Sequence, residues 1–170
     1  RLPGTGIVYT LTKRDADQVA EWLNQQGIVS RAYYSDALDD GFENSNAYRQ
    51  HLEGLLLGNK IKALVATTAL GMGYDKPDLG FVIHYQAPSS IVAYYQQVGR
   101  AGRDIERAVG VLLSGWEDDQ IHEFFRTSAF PDEKHVDAIL EALEASDGLS
   151  VMELQRQVNL TKGQIERVLK

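Results

Sequence analysis

Short apolar runs alternate, over the first two-thirds of the chain, with stretches in which apolar residues recur every three or four positions. Ile7-Val8-Tyr9-Thr10 predicts a first strand. Ala16, Val19, Ala20 and Leu23, at i, i+3, i+4 and i+7, predict a helix over 13–26 that Gly27 stops. Residues 31–34 predict a second strand, followed by a polar loop over 36–46 and a helix over about 47–57. Ala63-Leu64-Val65-Ala66-Thr67 is a continuous apolar run bounded by turn signals, the pattern of a strand covered on both faces. Residues 81–85 and 108–113 predict two more strands, and residues 90–98 a short helix ending at Gly99. Five strands interleaved with helices predict a three-layer α/β domain on a parallel sheet over residues 1–115.

Beyond residue 115 the pattern is helical only. Residues 116–125 are amphipathic, and Phe130-Pro131-Asp132 predicts a break. Helices are expected over 134–145, 150–158 and 161–170. Ser150-x-x-Glu153 and Thr161-x-x-Gln164 have the capping-box form, which places two helix starts independently of periodicity. We read residues 116–131 as an acidic helical connector and residues 132–170 as the start of a helix-turn-helix or winged-helix domain, the alternative being a plain helical bundle.

Charge refines this division. The net charge is −7, but residues 1–115 carry 11 basic and 12 acidic groups and residues 148–170 carry 4 and 2. The segment 116–147, with 2 basic and 10 acidic groups, holds the excess. The acidic run Glu117-Asp118-Asp119 fits the first turn of a helix better than a metal site, since carboxylates complement the helix dipole there. Cysteine is absent, which excludes disulfides and thiolate zinc sites. The four histidines lack metal-ligand spacing, and no site residue is expected to bind a metal. No apolar run is long enough to span a membrane.

The candidate chemistry lies in loops that follow predicted strands, where open parallel sheets hold their ligands. Gln96-Gln97-Val98-Gly99-Arg100-Ala101-Gly102-Arg103 sets two arginines three apart, each directly after a glycine. Arginine supplies a permanently charged fork that matches phosphate oxygens, and glycine lets backbone approach closely. Thr67-Thr68-Ala69-Leu70-Gly71-Met72-Gly73-Tyr74-Asp75 leaves a buried strand with hydroxyls, then glycines, then a carboxylate. The hydroxyls of Thr67 and Thr68 and the backbone of Gly71 suit a nucleic-acid phosphate, and Asp75 suits a ribose hydroxyl. No Gly-x-x-x-x-Gly-Lys-Ser/Thr loop occurs anywhere in the chain. Arginines without a phosphate loop suggest half of a two-part motor, contributing arginine fingers to a nucleotide held by a preceding domain.

The segments Thr67 to Asp78, Val82-Ile83-His84 and Tyr94 to Asp104 resemble motifs V and VI of RecQ-type superfamily 2 DNA helicases, and Gly6-Ile7-Val8-Tyr9 is similar to motif IV. The resemblance covers residues 4–115. It implies the second RecA-like domain, of the P-loop NTPase type, of an enzyme that unwinds DNA 3′-to-5′ with ATP and Mg²⁺. The nucleotide and metal would be held mainly by an upstream RecA-like domain. Arg103 would be the arginine finger, Arg100 a γ-phosphate contact, and Gln96 part of the same interdomain network. Gly73, Asp75, Gly99 and Gly102 would lie on the nucleotide side, and Thr67, Thr68 and Gly71 near the tracking strand. A winged-helix start would bring Lys162 and Arg167 toward single-stranded or duplex-junction DNA. Cytoplasmic, nucleoid-associated work is the implied setting. The chain departs from the family in lacking cysteines for its zinc module, in having Tyr34-Ser35-Asp36 near a usual His-Ala-Gly stretch, and in Ile105-Glu106 after the Arg-Asp pair. An RNA helicase of the same superfamily and a non-catalytic DNA-binding or docking module are the alternatives.

Overall fold

The computed structural model describes residues 2–70, 74–129, 132–146 and 148–169, without the side chains of Glu117, residues 124–129 and Arg167. The expected break at Phe130-Pro131, and the candidate site residues Gly71 and Gly73, lie outside the described residues.

Five strands form one parallel sheet: β1 (Gly6–Tyr9), β2 (Ser30–Tyr33), β3 (Ala63–Ala66), β4 (Phe81–His84) and β5 (Val109–Leu112), in the order β2-β3-β1-β4-β5. Helices α1 (Lys13–Gln25), α2 (Ser45–Leu57) and α3 (Ile91–Val98) connect them. Strand alternation divides the core into two layers. Val8, Ala63, Val65 and Phe81 pack with Ala16 and Ala20 of α1, the helical face the periodicity predicted. Ile7, Tyr9, Leu64, Ala66 and Val82 point the other way and pack with Leu52 and Leu56 of α2 and Val98 of α3. The three-layer α/β expectation is met.

β2 starts and ends one residue earlier than the sequence suggests. Ser30 is fully buried and its N–H donates to Asn24 Oδ1 at 3.0 Å, whereas the Tyr34 hydroxyl turns out toward Asp17 at 3.2 Å. Gly27 follows α1 with φ +74°, the left-handed conformation that ends helices.

The register brings the carboxyl ends of the central strands level. Tyr9 of β1 sits beside Ala66 of β3 and His84 of β4, and His84 beside Leu112 of β5. Thr10, Thr67 and Tyr85 therefore leave the sheet at one edge, carrying the candidate loops with them.

Compactness divides the chain into residues 1–119 and 120–170. The divide falls within α4 (Trp116–Ala129), which runs past the expected end at 125. In the second unit, α5 (Glu133–Glu144), α6 (Val151–Gln157) and α7 (Lys162–Val168) share a core of Ile139, Leu154 and Ile165. Both expected capping boxes form, at Ser150/Glu153 and Thr161/Gln164. Within the acidic run, Asp118 is buried. Its carboxylate accepts from the backbone N–H of Ala87 at 2.9 Å and of Gly115 at 3.4 Å, tying the start of α4 to the loop after β4.

Candidate functional site

The helix α3 begins at Ser90, whose hydroxyl accepts from Ala93 N–H at 3.1 Å, and ends at Gly99. Beyond it the chain turns tightly. Gly102 takes φ +78°, a conformation costly for any residue with a Cβ, and its N–H donates to Leu79 O at 3.1 Å. Asp104 N–H donates to Pro77 O at 2.9 Å. The two arginine-bearing turns are thus stitched to the segment that follows β3. Gly99 has an ordinary φ of −66°, so only the second of the two glycines is required by backbone conformation.

This stitching brings five of the predicted nucleotide-side residues together, while Gly102 stands outside the cleft they line. Asp75, Gln96, Gly99, Arg100 and Arg103 line one cleft of about 450 Å³ together with Tyr74 and Tyr95. Arg103 Nη1 donates to Asp75 Oδ1 at 2.8 Å and its Nε to Gly99 O at 3.3 Å. Both side chains of the pair remain accessible, at 47% and 58% exposure, so Arg103 can exchange its carboxylate for another anion. Arg100 lies deeper. Its Nη1 donates to Tyr74 O at 2.8 Å, and its charge draws down the pKa of the Tyr9 hydroxyl, which burial nevertheless holds above its ordinary value. Burial likewise raises the pKa of Tyr74.

Tyr74 and Tyr95 were not singled out from the sequence. Spacing contained the signal, since Tyr95, Gly99 and Arg103 recur every four residues and Gln96 and Arg100 do the same. A larger cleft, about 590 Å³, opens at the amino ends of the strands, but Leu2, Leu23, Ile28, Ile61 and Phe81 make its walls largely apolar and no predicted site residue lines it.

The candidate nucleic-acid residues fall elsewhere. Thr68 lines a separate small cleft at the carboxyl ends of β1, β3 and β4, with Thr10, His84, Gln86 and Gln97. The Thr67 hydroxyl accepts from Ala69 N–H at 3.3 Å and so holds the start of the loop. Gln86, nearly buried, accepts from Leu11 N–H at 2.7 Å and donates to Asp15 Oδ2 at 3.0 Å, fixing the opposite wall. Lys162 stands in the second unit and pairs with Glu166 at 3.6 Å. Arg167 is on the same helix, its side chain outside the described part.

Among the described residues no group of three or more His, Cys, Asp or Glu could hold a metal ion, and no helix is long and apolar enough to cross a membrane.

Residues 2–104 match the family model of the helicase conserved C-terminal domain. The chain is 36% identical over 135 residues to the ATP-dependent DNA helicase RecQ of Synechocystis, covering 75% of this chain and 27% of that protein. It is 39% identical over 119 residues to a candidate ATP-dependent RNA helicase of Acanthamoeba polyphaga mimivirus, covering 70% and 20%. In fold it resembles the yeast DEAD-box splicing factor Prp28, with a TM-score of 0.58 and 22% identity over 75% of this chain and 27% of that one. The chain therefore spans little more than a quarter of the length of these curated relatives, or less.

Proposed function

The chain belongs to the helicase conserved C-terminal domain family, and on that premise we propose that it is the second motor domain of a RecQ-type ATP-dependent DNA helicase that unwinds 3′-to-5′. The observation that carries this reading is the shared cleft of Asp75, Gln96, Gly99, Arg100 and Arg103 in a chain with no phosphate-cradling loop of its own. Such a cleft reaches toward a nucleotide instead of enclosing it.

The residues fit an ATP held from the opposite side. Arg103 is accessible, and among the described residues its anchors, Asp75 and the Gly99 carbonyl, are groups it can release. ATP, when bound with Mg²⁺ by an upstream RecA-like domain, would supply the phosphoanhydride whose hydrolysis drives the cycle. Arg103 would stabilise the charge that develops on the transferred phosphoryl oxygens. Arg100, with Gln96 beside it, would sense the terminal phosphate. Asp75, once relieved of Arg103, would accept from a ribose hydroxyl. Gly73, Gly99 and Gly102 would admit the nucleotide's close approach, and Thr67, Thr68 and Gly71 would meet the sugar-phosphate backbone of the single strand. The helices of the second unit would form the beginning of a winged-helix domain, with Lys162 and Arg167 toward duplex or junction phosphates. With no cysteine, residues 1–170 offer no thiolate ligand to a zinc module. We place its work with cytoplasmic, nucleoid DNA.

The mimivirus relative favours one other reading, RNA remodelling by the same motor. The two separate in an ATPase assay of the full-length protein with saturating single-stranded DNA or RNA of one sequence. We expect stimulation by DNA at least tenfold above that by RNA. Preference for RNA would overturn the DNA assignment, and measurable hydrolysis by this chain alone would overturn the two-domain reading.

A further inference from the structure

His84 ends β4, is fully buried, and lines the strand-end cleft. Its ring stacks on Tyr9 of β1 at 5.5 Å and 20°, and packs on Tyr94 of α3 at 4.9 Å. Its Nε2 lies 2.9 Å from Gln97 Oε1. Nδ1 is buried with no hydrogen-bond partner among the described residues, so a proton there would be an unsatisfied donor; the proton belongs on Nε2, which donates to Gln97. Burial lowers the pKa of His84 and keeps the ring neutral, with one proton to give.

That bond has an unusual position. Helix α3 has no fully buried residue, and at its carboxyl end the partly buried Val98 packs against the core beside Gln97. Gln97 lies in its last turn, two residues before Gly99 and three before Arg100. Gln96 points into the arginine cleft, while Gln97 and His84 line the strand-end cleft with Thr68 and Gln86. Tyr9, against which His84 stacks, is also the group on which the Arg100 charge acts. His84 thus reaches the arginine segment through Gln97, which stands three residues before Arg100 along the chain.

We infer that His84 and Gln97 are positioning residues that couple the two clefts: a nucleic-acid strand seated at the carboxyl ends of β1, β3 and β4 bears on this pair, and the pair sets the aim of Arg100 and Arg103. The inference rests on the motor reading proposed above. It requires a contiguous path between two sites, and that path runs from His84 through Gln97 into the last turn of α3.

The test is the ratio of single-strand-stimulated to unstimulated ATPase in the full-length protein. Gln97→Leu preserves size but removes the acceptor, and the ratio is expected to fall about tenfold, the consequence of stranding a buried donor. Gln97→Glu restores an acceptor oxygen and should bring the ratio back to within about threefold of wild type. A packing role alone would lower both rates together and leave the ratio unchanged in Gln97→Leu; that result overturns the inference, as does a Gln97→Glu ratio no better than that of Gln97→Leu. Absence of stimulation in the wild-type protein overturns the motor reading itself and this inference with it. Stimulation in the wild type with an unchanged ratio in the variant overturns this inference alone.

Discussion

Lys76 is almost wholly buried, and its ammonium reaches Asp78 Oδ1 at 2.7 Å and Leu57 O at 3.4 Å. The hydrogen bond from Lys76 holds the Asp78 carboxyl below the ordinary carboxylate pKa, although Asp78 itself is half exposed. Removing the carboxylate leaves a buried cation short of its partner, a loss between that of an exposed pair and that of a buried one. Asp78→Asn should destabilise the first unit by about 2 kcal/mol. Both tryptophans, Trp22 and Trp116, lie in that unit, so fluorescence during urea unfolding reads it directly. Because the folded pKa is depressed, the contribution is present above the ordinary carboxylate pKa and lost as pH falls below about 4. The difference between wild type and variant should be constant from pH 5 to 8 and shrink below pH 4; a difference that persists at pH 3 would refute the ion-pair account. Nothing in the sequence marked Lys76 as buried, because lysine at a loop position reads as solvated and its burial depends on where Leu57 ends α2. The two arginines were legible, since adjacent glycines and a three-residue spacing are local facts. The ion pair of Arg103 with Asp75, 28 positions apart, depends on the tertiary fold and was not.

The elements were readable where one local rule decides them. Short continuous apolar strands follow from burial on both faces of a parallel sheet, the α1 stripe from which side chains can share a helical face, and the helix starts at Ser150 and Thr161 from reciprocal side-chain bonds within four residues. At Ser150, the backbone N–H donates to Glu153 Oε2 at 2.8 Å, and the hydroxyl accepts from Glu153 N–H at 3.3 Å. Ser150→Ala should cost the helical unit about 1 kcal/mol, read as a lower midpoint in the unfolding of this unit by amide exchange of the α6 residues. Unchanged protection there would show that the box contributes nothing. The order β2-β3-β1-β4-β5 was not readable, because crossovers set it and no residue pattern encodes them. The same holds for Asp118, whose acceptance from Ala87 N–H joins elements that are 31 residues apart. A carboxylate in a helix's first turn reads as solvated charge until the loop it caps is in view.

At the scale of the molecule, composition indicated a change of character after residue 115, and the compact units divide at 119/120. The small displacement arises because α4 is a continuous helix across the divide, where sequence periodicity offers no stop. The expected connector over 116–131 is therefore split between the two units, while the expected helical domain over 132–170 falls wholly within the second. The first unit is defined by what it lacks. It presents Arg100 and Arg103 in an open cleft, and its sequence contains no loop to cradle the phosphates these would meet. The most direct test is Arg103→Ala in the full-length protein, with turnover and ATP affinity measured separately in saturating single-stranded DNA. A reaching arginine contributes to the transition state far more than to ground-state binding, so turnover should fall about a thousandfold or more while ATP affinity stays within about threefold of wild type. Turnover within tenfold of wild type would contradict the account.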